Sequence, residues 1–173
     1  MSQVYIFRGS PSSGKGTITN AFIKELPGKV AYIELDKFRW GFHLLNRTIP
    51  EISNEEHGLA YKNYLAVLEN YLADGSYTIV TEGLFSWNSE GPHGNMQDII
   101  TLCEKYDQPY QAILLFADKK ILEERNRQRK YSVPEEEFDE LYDFVMQERS
   151  DTEIALDVGT LSVDESVHTL LAL

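Results

Sequence analysis

Cysteine is nearly absent from this chain. Cys103 is the only one in 173 residues, so no internal disulfide can form and no cysteine-based zinc site can be assembled. That usage fits a reducing compartment, and a cytoplasmic location is the expectation. Cys103 itself lies in an apolar helical pattern, where a thiol acts as a small hydrophobe. Long apolar runs are missing too: no stretch approaches the roughly eighteen residues that a membrane-spanning helix needs. The first residues enter a strand-like segment without the basic and apolar regions of an export signal, so neither membrane nor export is expected. Positive charge is in deficit. Sixteen Lys and Arg against twenty-eight Asp and Glu leave a formal net charge of −12, and such a chain repels polyanions wherever its charge is not locally reversed. Nucleic acids and anionic membranes are therefore poor partners. The four histidines, His43, His57, His93 and His168, are too scattered for a metal cluster.

What the chain does have is 42% apolar residues, enough for the core of one domain spanning residues 1–173. Apolar runs alternate with helical periodicities, the pattern of an α/β protein with a doubly wound, five-stranded parallel sheet flanked by helices. Val4-Tyr5-Ile6-Phe7, Val30-Ala31-Tyr32-Ile33, Tyr77-Thr78-Ile79-Val80, Ala112-Ile113-Leu114-Leu115-Phe116 and Glu153-Ile154-Ala155-Leu156 are the expected strands. Helices are expected over residues 16–26, 54–73, 95–106, 119–130, 135–149 and 164–173, the second capped by Asn54 with Leu59, Tyr64, Leu65, Leu68 and Leu72 on its core stripe. Ser162 and Glu165 match a capping box. Residues 86–94 form the clearest irregular loop, after a strand end, where α/β proteins place ligands.

The segment Gly9-Ser10-Pro11-Ser12-Ser13-Gly14-Lys15-Gly16-Thr17 follows a strand and opens a helix. In that context a Gly-x-x-x-x-Gly-Lys pattern is a phosphate loop. Its glycines let backbone N–H groups turn inward, the helix start adds partial positive charge, and Lys15 supplies a mobile cation for the β and γ phosphates. Gly9, Ser12, Ser13, Gly14, Lys15, Gly16 and Thr17 are thus the expected polyphosphate ligands. Thr17 is one residue later than the hydroxyl usually found beside the lysine, so contact with Mg²⁺ runs directly or through a water.

Two carboxylates stand at strand ends beside this loop. Asp36 can orient or deprotonate an acceptor hydroxyl, with Arg39 one helical turn on to hold an anion or the moving phosphoryl group. An N-cap aspartate with a solvated arginine fits the same residues. Glu82 is placed to hold Mg²⁺ through a water or to orient the acceptor, and equally to pair with Lys15 or Arg8. Phe38, Trp40, Phe85 and Trp87 flank both acids, as an aromatic acceptor pocket or as core. Farther on, Lys119, Lys120, Arg125, Arg127, Arg129 and Lys130 against Glu123 and Glu124 leave a local +4. Arg125 and Arg129, four apart, share one helix face that can clamp phosphates, and a solvated basic face is the alternative. Arg149 is a further cation at a helix end, or a simple partner of the helix dipole.

The phosphate loop resembles the Gly-x-Pro-Gly-Ser-Gly-Lys-[Gly/Ser]-Thr loop of adenylate kinases and of small P-loop kinases such as polynucleotide kinases, zeta toxins and chloramphenicol phosphotransferases. Asp36 to Arg39 is similar to the Asp-x-[Phe/Tyr]-Arg arrangement after their second strand, and the basic stretch with residues 131–134 resembles their lid. Ser12 stands where the family carries its second glycine, so a residue that tolerates positive φ poorly occupies a loop whose Gly14-Lys15 core is intact.

The resemblance implies a P-loop fold with a helical lid over about residues 119–149 and the cofactors ATP and Mg²⁺. It makes Asp36 the base, Lys15, Arg39, Arg125 and Arg129 the stabilisers of the transferring phosphoryl, and Thr17 and Glu82 the metal side. The turn at residues 157–162 would line the adenine pocket through its backbone. The activity so implied is transfer of the γ-phosphoryl of Mg·ATP to a hydroxyl of a small molecule such as a nucleoside, sugar or antibiotic. A nucleoside monophosphate kinase would want more arginines than Arg8, Arg39, Arg47 and Arg149 outside the lid. A polynucleotide 5′-hydroxyl kinase would need a basic channel that −12 opposes. A zeta-toxin-like enzyme acting on a nucleotide sugar and a nucleotide-binding switch without acceptor complete the alternatives; the Asn-Lys-x-Asp motif of guanine-reading switches is absent.

Overall fold

A computed structural model describes residues 3–40, 52–87, 94–147 and 149–172. The elements run β1 (Val4–Gly9), α1 (Lys15–Glu25), β2 (Val30–Glu34), α2 (Leu35–Trp40), α3 (Asn54–Asp74), β3 (Thr78–Gly83), α4 (Met96–Lys105), β4 (Tyr110–Phe116), α5 (Lys119–Arg127), α6 (Glu135–Gln147), β5 (Ile154–Asp157) and α7 (Val163–Leu171). All five strands pair in parallel in the order β2-β3-β1-β4-β5, the doubly wound α/β sheet expected from the alternating pattern.

Both faces of the sheet are covered. Val4 and Ile6 of β1 bury against Tyr64 and Leu68 of α3 and Met96 and Ile99 of α4. Phe7, on the opposite face, packs with Ile18 and Phe22 of α1 and Val167 and Leu170 of α7. Strands buried on two sides carry unbroken apolar runs, which is why they are visible in the sequence. Because β1 lies between β3 and β4, the chain winds one way from its left edge and the other way from its right. A crevice opens there at the carboxyl ends of the strands, where such sheets bind ligands.

Local departures from expectation have local causes. Helix α2 was not anticipated: Leu35 buries completely and Phe38 packs half-buried on the same core, so these residues coil instead of extending the strand. Ser53, not Asn54, caps α3; its hydroxyl accepts from Glu56 N while the Glu56 carboxylate accepts from Ser53 N, a capping box one residue earlier. The buried stripe of α3 is Ala60, Tyr64, Leu68 and Leu72. Leu59 falls off it and is 49% exposed. Helix α5 ends at Arg127 instead of Lys130, because the Asn126 amide folds onto the returning chain, donating to Val133 O at 2.8 Å and accepting Val133 N at 3.0 Å. Helix α6 ends at Gln147, so Arg149 lies beyond it with its guanidinium 5.4 Å above the Phe116 ring. Cys103 is buried, and burial pushes its thiol up to about 12, in keeping with a packing role. His43, Arg47, His93, the side chain of Trp40 and residues 88–93 of the irregular loop lie outside the described residues. No described helix is long and apolar enough to cross a membrane.

Candidate active site

At the end of β1 the backbone passes so close to β4 that a Cβ on Gly9 would stand 2.4 Å from Leu115 O. Only glycine fits there. Five residues on, Gly14 takes a left-handed φ of 82° and caps α1 with no side-chain hydrogen bond, so the start of this helix faces the crevice without a side-chain cap. Ser13 Oγ is buried and has no hydrogen-bond partner. Lys15 Nζ donates to Gly9 O at 2.7 Å and to Ser10 O at 3.1 Å, resting on carbonyls of its own loop. An uncapped helix start, an orphaned buried hydroxyl and a lysine lying across the loop are what a polyphosphate site requires. Ser12 adopts a φ of 64°, the conformation in which the related loop carries glycine, and its Oγ reaches Asn126 Oδ1 at 3.5 Å.

The Lys15 ammonium is pushed below the ordinary lysine value by burial and further by the charge of Arg129, while Glu82, Asp36 and Glu34 oppose the shift. The charges of four groups, Glu82, Asp36, Arg129 and Glu34, thus bear on this amine. Glu34 and Glu82 are direct neighbours in the β2–β3 ladder. Burial and then the Glu82 charge raise the Glu34 carboxyl, with Lys37 at 3.4 Å opposing. Glu82 Oε2 lies 2.7 Å from Thr19 Oγ1, whose single proton is shared with Lys15 O at 2.9 Å. A Cβ on Gly16 would stand 3.4 Å from Glu82 Oε1, so this carboxylate lies at van der Waals distance from the phosphate loop. Thr17 is exposed on the first turn of α1.

Asp36 stands in the first turn of α2 and accepts from Arg39 Nη1 at 2.8 Å. The Arg39 side chain is 4% exposed and that of Asp36 47%, so the arginine is buried behind the carboxylate and the solvated-arginine alternative is overturned. Burial and the Arg39 charge lower His57, on the facing turn of α3. Of the four aromatic residues expected at the acceptor side, Phe85 is core, Phe38 packs edge-on against Tyr64 at 6.0 Å, and Trp87 is half-buried with Nε1 donating to Glu153 Oε2 at 3.0 Å.

The two arginines of the basic stretch part company. Arg125 Nη2 donates to Val158 O at 2.8 Å, beside the turn after β5. Arg129 lies past the end of α5, so the shared helix face expected for the pair does not form. Arg127 is held by Glu123 and Glu124 on the surface.

Sequence reasoning missed Thr19, Glu34, His57 and Asn126. Thr19 is one turn after Lys15 on α1, and a helical wheel would have found it; the others are joined only by register and packing. Arg8, one of two cations left open as a partner for Glu82, instead donates from Nε to Glu153 Oε2 at 2.9 Å.

A family profile described as AAA domain matches residues 4–146. Over 163 residues the chain is 24% identical to an L-seryl-tRNA(Sec) kinase of Methanococcus maripaludis, covering 92% of this chain and 58% of that protein. It thus spans little more than half the length of that relative. Among solved structures, a sugar kinase from Janibacter superposes with a TM-score of 0.66 at 17% identity, covering 99% of this chain and 94% of the other. A shikimate kinase from Aquifex aeolicus superposes with a TM-score of 0.61 at 17% identity, covering 98% and 94%. The fold is that of P-loop kinases.

Proposed function

The chain belongs to the AAA domain family of P-loop proteins, and from that premise we propose that it is an ATP-dependent kinase of a small-molecule hydroxyl. The observation that carries the reading is the phosphate cradle itself, with Gly9 pressed on Leu115 O, α1 starting without a side-chain cap and Lys15 lying across the loop within the electrostatic influence of Glu82, Asp36 and Arg129. A cradle serving only as a switch has no use for a half-exposed carboxylate oriented by a buried arginine.

In this reading Gly9, Ser12, Ser13, Gly14, Gly16 and the start of α1 hold the phosphates of ATP. Lys15 leaves the Gly9 and Ser10 carbonyls to donate to the phosphates, and the buried Ser13 hydroxyl gains its missing partner. Thr17 and Glu82 are the side chains that would hold Mg²⁺. The described residues contain no group of three metal-ligating side chains, so most of the ion's ligands would be phosphate oxygens and water. When bound, the ion screens the phosphate charge.

Asp36 takes the proton of the acceptor hydroxyl as the new O–P bond forms and the bond to the departing diphosphate breaks. Arg39 holds the Asp36 carboxylate in place, and Arg129 and Lys15 stabilise charge on the moving phosphoryl group. Residues 119–149 act as a lid that excludes water, with Arg125 on the nucleotide-base side next to Val158 and the Asn126 clasp shaping its tip. The whole works as one domain.

A small acceptor is favoured because net charge −12 opposes a polyanionic one. The likeness to a kinase of charged tRNA keeps a nucleic-acid acceptor as the competing outcome. The test is ATP turnover with Mg²⁺, alone and with pooled nucleosides, nucleotides, sugars, aminoglycosides and phenicol-type alcohols, with a 5′-hydroxyl oligonucleotide as a separate arm. A small-molecule pool is expected to raise turnover about tenfold or more over the basal rate. Stimulation by the oligonucleotide alone would assign a polynucleotide kinase. Tight ATP binding with no stimulation in any arm would assign a switch.

A further inference from the structure

One residue before the phosphate loop, Arg8 is fully buried, an unusual environment for a guanidinium. Its fork is spread over three segments. Nε donates to Glu153 Oε2 at 2.9 Å, Nη1 to Phe85 O at 2.7 Å and Nη2 to Val145 O at 2.9 Å. Glu153 is itself buried and accepts from Trp87 Nε1 at 3.0 Å through the same oxygen, while its other oxygen accepts from Ser150 N at 3.3 Å. The segments so joined are the loop leaving β3 on the acceptor side, the last turns of α6 at the root of the lid, and the entry to β5 ahead of the turn at residues 157–162. All three are tied to the strand that ends in Gly9. A buried ion pair is weak evidence for stability, since apolar residues of like volume often serve as well. Its fixed geometry is what a hydrophobic cluster would not supply.

We infer that Arg8 is a positioning residue. Through Glu153 it docks Trp87, and directly the backbone at Phe85, in register with the phosphate loop, so that transfer depends on it and nucleotide binding does not. The inference rests on the kinase reading and adds to it a determinant outside the phosphate loop, the Asp36–Arg39 pair and the lid arginines. Arg8 touches no reacting atom; it acts through the placement of Trp87 and of the backbone at Phe85.

The chain has only two tryptophans, Trp40 and Trp87, so in a Trp40→Phe background the emission of Trp87 reports whether the loop is docked. In that background Arg8→Met, Arg8→Lys and the double change Arg8→Met with Glu153→Leu are compared with the parent by emission, acrylamide quenching, calorimetry with Mg·ATP, thermal melting and stimulated ATP turnover. The double variant leaves no unpaired buried charge and keeps the comparison open where Arg8→Met alone fails to fold. Trp87 is expected to shift to the red and become quenchable in every variant, lysine included, because an ammonium on a flexible stem cannot hold three separate acceptors in a fork. Mg·ATP affinity is expected to stay within about threefold while stimulated turnover falls about 10²-fold through kcat. Trp87 remaining shielded in the double variant would overturn the inference. So would loss of nucleotide affinity in step with turnover, which marks a purely structural residue. If the parent itself gives no binding heat with Mg·ATP, the nucleotide reading fails and the inference falls with it.

Discussion

The phosphate half of the cleft and the acceptor half are built by opposite means. The first is one continuous stretch from Gly9 to Thr17, shaped by backbone: Gly9 pressed against Leu115 O, Gly14 in the left-handed region, a helix start without a side-chain cap. The second is assembled from side chains that arrive separately, Glu34 from β2, Asp36 and Arg39 from α2 and His57 from α3. A backbone cradle can recognise only what all its ligands share, the polyphosphate. Side chains gathered from several elements can be exchanged one at a time, and under the proposed kinase reading that is where a choice among hydroxyl compounds would be made.

If this division is right, variants in the two halves should fail differently. Lys15→Met should produce the largest effect, lowering stimulated ATP turnover by about 10³-fold and weakening nucleotide binding as well, since the amine is asked to hold both ground-state and developing charge. Asp36→Asn keeps the shape and a hydrogen bond to Arg39 but removes the proton acceptor. Turnover should fall about 10²-fold with Mg·ATP affinity within about threefold. The comparison breaks if calorimetry shows the Asp36 variant losing nucleotide affinity as Lys15→Met does.

The same division explains how far the sequence could be read. The phosphate loop was legible because its determinants are adjacent, and the inner strands β1, β3 and β4 because burial on both faces leaves them short apolar runs. The partner of Arg8 was not legible because Glu153 is 145 positions away, at the entry to β5, and Glu82 was the acid weighed for it. The shared face of Arg125 and Arg129 failed for a similar reason: Asn126 clasps Val133 and ends α5 early, a tertiary contact with no signature in helix propensity. Asp36 and Arg39 were found as a pair, but only packing shows which of them is buried. Ser53 was readable and passed over, since the Ser-x-x-Glu pattern at Ser53 and Glu56 is in plain view.

Glu34 offers a smaller test on the acceptor side. A carboxyl held above its ordinary value in the folded chain binds its proton more tightly there than in the unfolded chain. Stability therefore falls as pH rises from the ordinary carboxylate range through the raised value, and the loss is complete above it. Glu34→Gln removes that group. Urea unfolding should find the variant more stable than the parent near pH 8 and equal to it near pH 3.5, below the ordinary carboxylate range. A variant less stable at the higher pH would mean that the exposed pair with Lys37 outweighs the repulsion from Glu82.

The smallest expected effect bears on the comparison most directly, because Ser12 is the one place where the phosphate loop uses a side chain to reach the lid region. A non-glycine residue in the left-handed region costs about 1–2 kcal/mol, and the φ of 64° at Ser12 incurs that cost. Ser12→Gly removes the strain but gives the unfolded chain more freedom, about 0.5–1 kcal/mol in the opposite direction. It also deletes the contact of Ser12 Oγ with Asn126 Oδ1, which at 3.5 Å is at the outer limit of a hydrogen bond and worth little. The balance is a gain below about 1 kcal/mol, a rise in Tm of about 2 °C, with nucleotide affinity unchanged. A fall in Tm would mean that the hydroxyl's hold on Asn126 outweighs the strain. The phosphate loop would then depend on a side chain reaching another element, as the acceptor half does, and the contrast between a backbone-built half and a side-chain-built half would end at Ser12.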